Sequence, residues 1–237
     1  MKINSFQFLI PKFIRDKIRV LYQPILDRFI LSEVKKFYAP YLEEGDLVYD
    51  VGAWRGVFTR AFVNLGCNVV AIEPQKDVFK YDNDNVIYLS CAISNKDRIE
   101  RFYINKNNTQ GSSLNRKWWN LGKYNKKLKV NVVTLDWLIK RHGIPKLIKI
   151  DVEGNEENVI KGLNQKIEFI TFEFSKNEFD KVERILNMLE CNNGEIECNI
   201  SLSFATGMIF KEGVCKEHIV GYLKDNKTLK GDIHVRS

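Results

Sequence analysis

The sequence predicts an α/β fold: a doubly wound, mainly parallel seven-stranded sheet behind an N-terminal helical extension. Three observations predict it. Apolar, β-branched strands alternate with helical segments from residue 45 onward, the pattern of a parallel sheet covered on both faces. Residues 47–56, LVYDVGAWRG, run from such a strand through an acid into a glycine turn that opens a helix. Residues 68–74, NVVAIEP, repeat the plan, a buried strand ending in Glu73.

Taken in order, residues 1–44 form the extension. Apolar residues recur at helical spacing through Phe6, Ile10, Phe13, Ile14, Ile18 and Leu21, then Ile25, Phe29, Ile30, Val34 and Phe37, with Pro11 and Pro24 placed to start or kink a helix. Of the net charge of +7, residues 1–40 carry +5, from eight Lys/Arg against three acids. Two basic amphipathic helices result, suited to covering the rest of the chain, to a homodimer contact, or to a peripheral membrane contact through residues 1–37. Residues 45–237 form the main domain. After the glycine turn, residues 57–65 are a helix closed by Gly66, and residues 86–89 a third strand. Residues 98–104 and 128–133 alternate like an added hairpin or edge strands. Residues 146–151 and 169–174 are core strands, each followed by a helix, 156–163 and 178–189. Residues 195–204 and 232–236 complete the sheet as an antiparallel pair, and residues 206–230 receive no assignment.

Composition narrows the class. At 237 residues and 44% hydrophobic, with no Ser/Pro/Gly-rich linker, the chain can bury one good core. Five cysteines, odd in number and without a Cys-x-x-Cys pair, support neither a disulfide framework nor a zinc site. A reducing cytoplasm fits this usage. The apolar run at residues 6–10 is too short to span a membrane.

The glycine turn marks a ligand site. Gly52 lets the backbone turn sharply with no Cβ in a ligand's way, and Gly56 lets the new helix pack close on its strand. A dinucleotide site wants G-x-G-x-x-G around a pyrophosphate. Here an acid, Asp50, stands two residues before Gly52 and the next glycine four after it. That suits a cofactor with a cationic amino-acid end and no phosphate, while Glu73 is placed to accept hydrogen bonds from ribose hydroxyls.

Six ordered words carry a family resemblance: Asp-Val-Gly-Ala-x-x-Gly at 50–56, Ala-Ile-Glu-Pro at 71–74, Ala-Ile-Ser-Asn at 92–95, Ser-Ser-Leu at 112–114, Val-Thr-Leu-Asp at 133–136 and Lys-Ile-Asp-Val-Glu-Gly-x-Glu at 149–156. Across residues 45–175 the chain resembles the FkbM family of S-adenosylmethionine-dependent methyltransferases. The resemblance implies a class I methyltransferase (Rossmann-like) fold, S-adenosyl-L-methionine as cofactor, and methylation of a hydroxyl on a sugar, glycan or other small metabolite. It places Asp50, Gly52, Ala53 and Gly56 around the methionine end, Glu73 at the ribose, and Cys91 and Ala92 along the adenine. Trp54 departs from the family, which usually has Asn there.

Methyl transfer from a sulfonium needs an acceptor oxygen in line behind the methyl and a base for its proton. The candidates stand where core strands end: Asp151 and Glu153 at the close of Lys149-Ile150-Asp151-Val152-Glu153-Gly154, and Glu173 near the end of residues 169–174. On an extended strand Lys149, Asp151 and Glu153 share a face. Glu153 is the first choice of base and Glu173 the second. Asp151 is open to proton chemistry, to contact with the cofactor's amino group, or to a buried pair with Lys149. No third oxygen ligand is evident beside Asp151 and Glu153 for Mg²⁺, so no metal is expected. His142 reads as a helix C-terminal residue. Ser112, Ser113, Trp118 and Trp119 lie in a polar loop; the aromatics can stack on a sugar face or a base, or simply pack. A pI near 9.0 and Arg116-Lys117-Trp118-Trp119 keep an RNA methyltransferase as the alternative. A nicotinamide-dependent reductase lacks both its glycine motif and a Tyr-x-x-x-Lys pair.

Overall fold

The structure, a computed structural model, describes residues 27–105, 111–114, 126–204 and 206–237. Trp118, Trp119 and the first predicted helix lie outside them. Seven strands form the main sheet: β1 (Leu47–Val51), β2 (Asn68–Ile72), β3 (Val86–Leu89), β7 (Leu147–Ile150), β8 (Phe169–Phe174), β9 (Glu197–Ser201) and β10 (Gly231–Arg236). Their order is β3-β2-β1-β7-β8-β10-β9, parallel except for β10, which runs antiparallel to both neighbours. Strand order reverses between β1 and β7, and the crevice beyond their carboxyl ends is where open α/β sheets bind ligands.

Helices cover both faces. A helix at residues 27–38 (α1) and α2 (Val57–Val63) pack on one face, in a cluster of Val34, Phe37, Tyr38, Phe62, Val48, Val69, Leu147 and Phe169. On the other lie α3 (Leu135–His142), α4 (Glu156–Ile160), α5 (Phe179–Asn193) and α6 (Lys216–Asp225), whose Leu138, Val159, Leu186 and Ile219 share the larger core with Val51, Ile150 and Phe172. The unassigned stretch thus supplies α6. Of the apolar positions expected on α1, Val34 and Phe37 are buried, but Phe29 is 58% exposed, so that stripe is covered only in part. Tyr38 is fully buried and donates its hydroxyl to Thr171 Oγ1 (3.3 Å), which tethers α1 to β8.

One element differs from the edge-strand expectation. β5 (Arg98–Ile104) and β6 (Lys126–Val133) form the predicted antiparallel hairpin, but not on the edge of the main sheet. The chain leaves β3, turns at Ser90 and Cys91, and makes a short β4 (Ala92–Ile93) that pairs in parallel with Val132 and Val133, giving a separate three-stranded sheet. All five cysteines are free, and no helix among the described residues is long and apolar enough to cross a membrane.

Candidate active site

A cavity of about 270 Å³ opens at the strand-order reversal, walled by Val51 to Trp54, by Glu73 to Gln75, by Cys91 to Ile93, and by Phe102, Ser112, Leu114, Asp151, Val152 and Asn155. Asp27 and Ile30 of α1 complete it. Of the site residues expected from the sequence, Gly52, Ala53, Glu73, Cys91, Ala92, Ser112 and Asp151 stand in this wall.

The glycine turn builds its floor. Gly52 and Ala53 both donate backbone N–H to Ile72 O (2.9 and 3.0 Å), tying the end of β1 to the end of β2. Gly52 sits at φ +86°, and a Cβ on it would lie 1.8 Å from the Asp151 carbonyl oxygen. Only glycine admits that approach of the loop after β7. A Cβ on Gly56 would meet the Phe79 ring at 2.8 Å, so this residue, outside the wall, serves close packing. Trp54 also has a left-handed backbone, φ +44°. Asn tolerates that region far better than a bulky residue, which gives a physical reason for the Asn that the family usually carries.

Glu73 is 4% exposed and accepts hydrogen bonds from Trp54 N (3.1 Å), Gln75 N (2.8 Å) and Gln75 Nε2 (3.2 Å). Burial outweighs these donors and pushes its carboxyl up to about 7. A carboxylate has about four acceptor sites, so room remains for a ligand hydroxyl. A ligand hydroxyl donating there would further favour its charged form.

Asp50 is placed differently. Val51 lines the cavity, side chains alternate along a strand, and Asp50 accordingly points to the α2 face. There Asp50 Oδ2 accepts a bond from Thr59 Oγ1 (2.6 Å), and its buried Oδ1 has no hydrogen-bond partner among the described residues. Asp50 is absent from the cavity wall. Burial raises its pKa, offset in part by Lys149 and Thr59.

Beyond the cavity the carboxyl ends of β7 and β8 bring Asp151, Glu153 and Glu173 together, with one oxygen of each within 4.8 Å of the others. They meet by a route other than a shared strand face. β7 ends at Ile150, Asp151 still donates N–H to Val51 O (2.9 Å), and Glu153 then adopts φ +53°, with Gly154 at +92°. This left-handed turn carries the chain into α4. Glu156, paired with Lys181 (2.8 Å), accepts a bond from Gly154 N (2.9 Å) and holds the turn. Ser113 donates its hydroxyl to Val152 O (3.2 Å), so it fixes this loop from the small sheet, while Ser112 reaches the cavity itself.

The electrostatics of the cluster are uneven. Lys149, 2% exposed, lies 3.1 Å from Asp151 Oδ2 and 4.2 Å from the centre of the Phe58 ring. Burial works against its charge, but Asp151, Asp232 and Asp50 outweigh burial and hold the ammonium at about 12. Burial, then Asp151, pushes Glu153 up to about 7. Glu173 is driven up by burial and by both Asp151 and Glu153. Asp232, opposite Glu173 on β10, is pushed up to about 6, chiefly by burial.

The reason given by the sequence for expecting no metal, the lack of a third nearby carboxylate, is corrected here, because the fold supplies Glu173. Since Lys149 already brings a cation to these acids, the cluster is read below as proton-handling. Gln75, Asn155, Asp27, Ile30 and Asp232 were not legible as site residues. Only Gln75, two residues after Glu73, carried a local signal.

Comparisons with known proteins follow this geometry. The structure is similar to the precorrin-6y C5,15-methyltransferase of Geobacter metallireducens, at 12% identity over 89% of this chain and 88% of that one, with a TM-score of 0.44. A TehB-like SAM-dependent methyltransferase from Corynebacterium glutamicum matches at 10% identity over 86% of this chain and 88% of its own, TM-score 0.45. The plantazolicin methyltransferase BpumL, in complex with SAH, matches at 9% identity over 95% and 90%, TM-score 0.46. No curated protein matches the sequence. The model of the methyltransferase FkbM domain matches residues 50–195, more than half of the chain, and the protein belongs to that methyltransferase family.

Proposed function

We propose that the chain is an S-adenosylmethionine-dependent O-methyltransferase acting on a hydroxyl of a sugar, glycan or other small metabolite. The observation that carries the reading is the carboxylate cluster of Asp151, Glu153 and Glu173 beside the cavity at the strand-order reversal. When bound, the cofactor supplies an activated methyl group and its own leaving group.

The chain's residues supply binding, orientation and a place for a proton. Glu73 takes the ribose hydroxyls, its charge stabilised by bonds that only a ligand can add. The backbone from Val51 to Trp54 and the Asp151 carboxylate, both in the cavity wall, hold the cationic amino-acid end. Cys91, Ala92, Phe102 and Leu114 provide an apolar wall for the flat base. Ser112, also in the wall, serves the acceptor side. With the cofactor bound, its sulfonium would give up the methyl group to the acceptor oxygen and keep the bonding pair, and the acceptor's proton would pass to Glu153 or Glu173. A neutral alcohol is a poor nucleophile, so this transfer lowers the barrier.

The test is incubation of the full-length protein with methyl-labelled S-adenosylmethionine and separate pools of glycans, small metabolites and RNA. Base-stable label in a glycan or metabolite hydroxyl is expected. Label confined to RNA, or cofactor binding with no labelled pool, overturns the reading.

A further inference from the structure

Lys149 is a charged residue where the fold asks for an apolar one. Its neighbours on β7, Leu147, Ile148 and Ile150, are all buried, and Lys149 is buried with them. Its register partners are Asp50 on β1 and Thr171 on β8, so its backbone lies at the centre of the sheet. From there the side chain runs under the ring of Phe58 and ends on Asp151 at the rim, whose side chain is 25% exposed. Burying a lysine is expensive, and a hydrophobic residue of similar volume often serves stability as well or better. Its placement calls for a reason beyond stability.

The reason lies in what surrounds it. The acids facing this region come from four elements: Asp50 from β1, Asp151 and Glu153 from the loop after β7, Glu173 from β8, and Asp232 from β10. Glu156 of α4 and Lys230 ahead of β10 also act on Glu153, and Asp232 and Asp50 act on Tyr38 of α1. Three carboxylates within 4.8 Å cannot all be ionised in a half-dry site, and one lysine compensates one charge. Lys149 bonds to Asp151, and neither Glu153 nor Glu173 has an ion-pair partner among the described residues.

We propose that Lys149 is a positioning residue that selects the proton acceptor: it holds Asp151 as an anion and leaves the acceptor's proton to the Glu153–Glu173 pair. The inference rests on the O-methyltransferase reading for its functional meaning. The proton leaves the acceptor oxygen as the oxygen–methyl bond forms and the methyl–sulfur bond breaks. It joins the pair, which then loses it to water. The upward push on both glutamates agrees with this division, because both lose affinity for charge.

The experiment is a carboxyl-carbon NMR titration of the full-length protein labelled in Asp and Glu, with Asp151 assigned through Asp151→Asn. In the wild type the Asp151 signal should stay flat from pH 5 to 9, and the Glu153 and Glu173 signals should move within that window. Lys149→Met should bring Asp151 into the window, and Lys149→Arg should keep it flat. An Asp151 signal that titrates in the wild type within this range, or stays flat in Lys149→Met, overturns the proposal. If Lys149→Met does not fold, Asp151→Asn decides: deleting a fixed anion should lower the glutamate midpoints by half a pH unit or more, and unchanged midpoints overturn it. Calorimetry of wild-type protein with S-adenosylmethionine separates the two readings, since absent binding sinks the methyl-transfer reading and leaves the titration result standing.

Discussion

Replacing Glu73 by Gln disturbs the cofactor site less than alanine would, because the amide oxygen can keep the bonds that Glu73 Oε1 accepts from Gln75 N and Nε2, and only Trp54 N, which donates to Oε2, comes to face the amide nitrogen. An alanine would strand these donors and add a stability cost unrelated to binding. The carboxyl of Glu73 is pushed by burial up to about 7 from an ordinary 4.5, so its charged form carries a penalty of roughly 3 kcal/mol in the empty protein. Ribose hydroxyls repay part of this through charge-assisted bonds, which are about twice as strong as neutral ones. Gln removes that gain, and we expect the Kd for S-adenosylhomocysteine at pH 8 to rise by about 5- to 30-fold, or ~1–2 kcal/mol. The sign of the pH dependence follows. A carboxyl raised in the folded state stabilises the empty protein below pH 4.5, and that contribution is lost as pH rises through about 7. Ligand donors favour the charged form, so wild-type affinity should increase with pH up to about 7, by as much as about tenfold per unit, and then level off. The Gln variant should show no such rise. Calorimetry at pH 6, 7 and 8 measures both. Wild-type affinity that is flat across this range, or a Gln variant that binds as tightly as wild type, refutes the assignment of Glu73 to the ribose.

Glu153→Gln should retain cofactor affinity and lower turnover by about 10²- to 10⁴-fold, with Glu173→Gln as the paired variant; loss only in Glu173→Gln reverses their roles, and no loss in either removes general base catalysis. Trp54→Asn relieves a left-handed tryptophan and should raise the melting temperature, by an amount equivalent to about 1 kcal/mol; a fall would show that the indole's contacts outweigh the backbone strain. Phe37→Ala removes a buried ring packed against Tyr38 and Phe204 and should cost about 3 kcal/mol in a denaturant titration, so deleting residues 1–37 should sharply reduce soluble yield. A truncated chain that remains as soluble and stable as the full chain would restrict α1 to a dispensable cover. Chelation with EDTA should leave turnover unchanged; loss restored by Mg²⁺ would move Asp151, Glu153 and Glu173 from proton handling to metal binding.

The parts of the fold written in local sequence were legible before the structure. Strand, acid and glycine turn at 47–56 sit together in the chain, as do Glu73 and its strand, because phosphate-free cofactor sites of this kind are built at the ends of consecutive strands. The side of Asp50 was also open to deduction: with Val51 facing the crevice, period-two alternation sends Asp50 to the other face. Its spacing to Gly52, and then the resemblance, instead drew it toward the cofactor. What the sequence hid was brought in from a distance. Asp27 and Ile30 reach the cavity on a helix whose periodicity speaks only of packing, and Asp232 joins the acids through an antiparallel strand at the far end of the chain. Glu153 needed a left-handed turn that only the following Gly154 hinted at. At 98–133 the sequence left an added hairpin and edge strands both open; the hairpin is what forms, and a two-residue strand, β4, decides its docking. Two residues are too few for a periodicity to register.

Gly52 sets a rule for anyone who would re-engineer the acceptor preference. Its missing Cβ admits the Asp151 carbonyl, so the turn after β1 and the loop after β7 share one backbone contact. A graft of residues 151–155 from another chain must reproduce that contact to the ångström, or the turn beneath the cofactor moves with it. The small β4-β6-β5 sheet is joined to the same loop through side chains, by the Ser113 hydroxyl on Val152 O and by Asn155 Nδ2 on Ile93 O. Ala92 and Phe102 of that sheet also stand in the cavity wall, so exchanging the sheet would reshape the cavity as well, while the glycine-to-carbonyl seam stays fixed as the chassis.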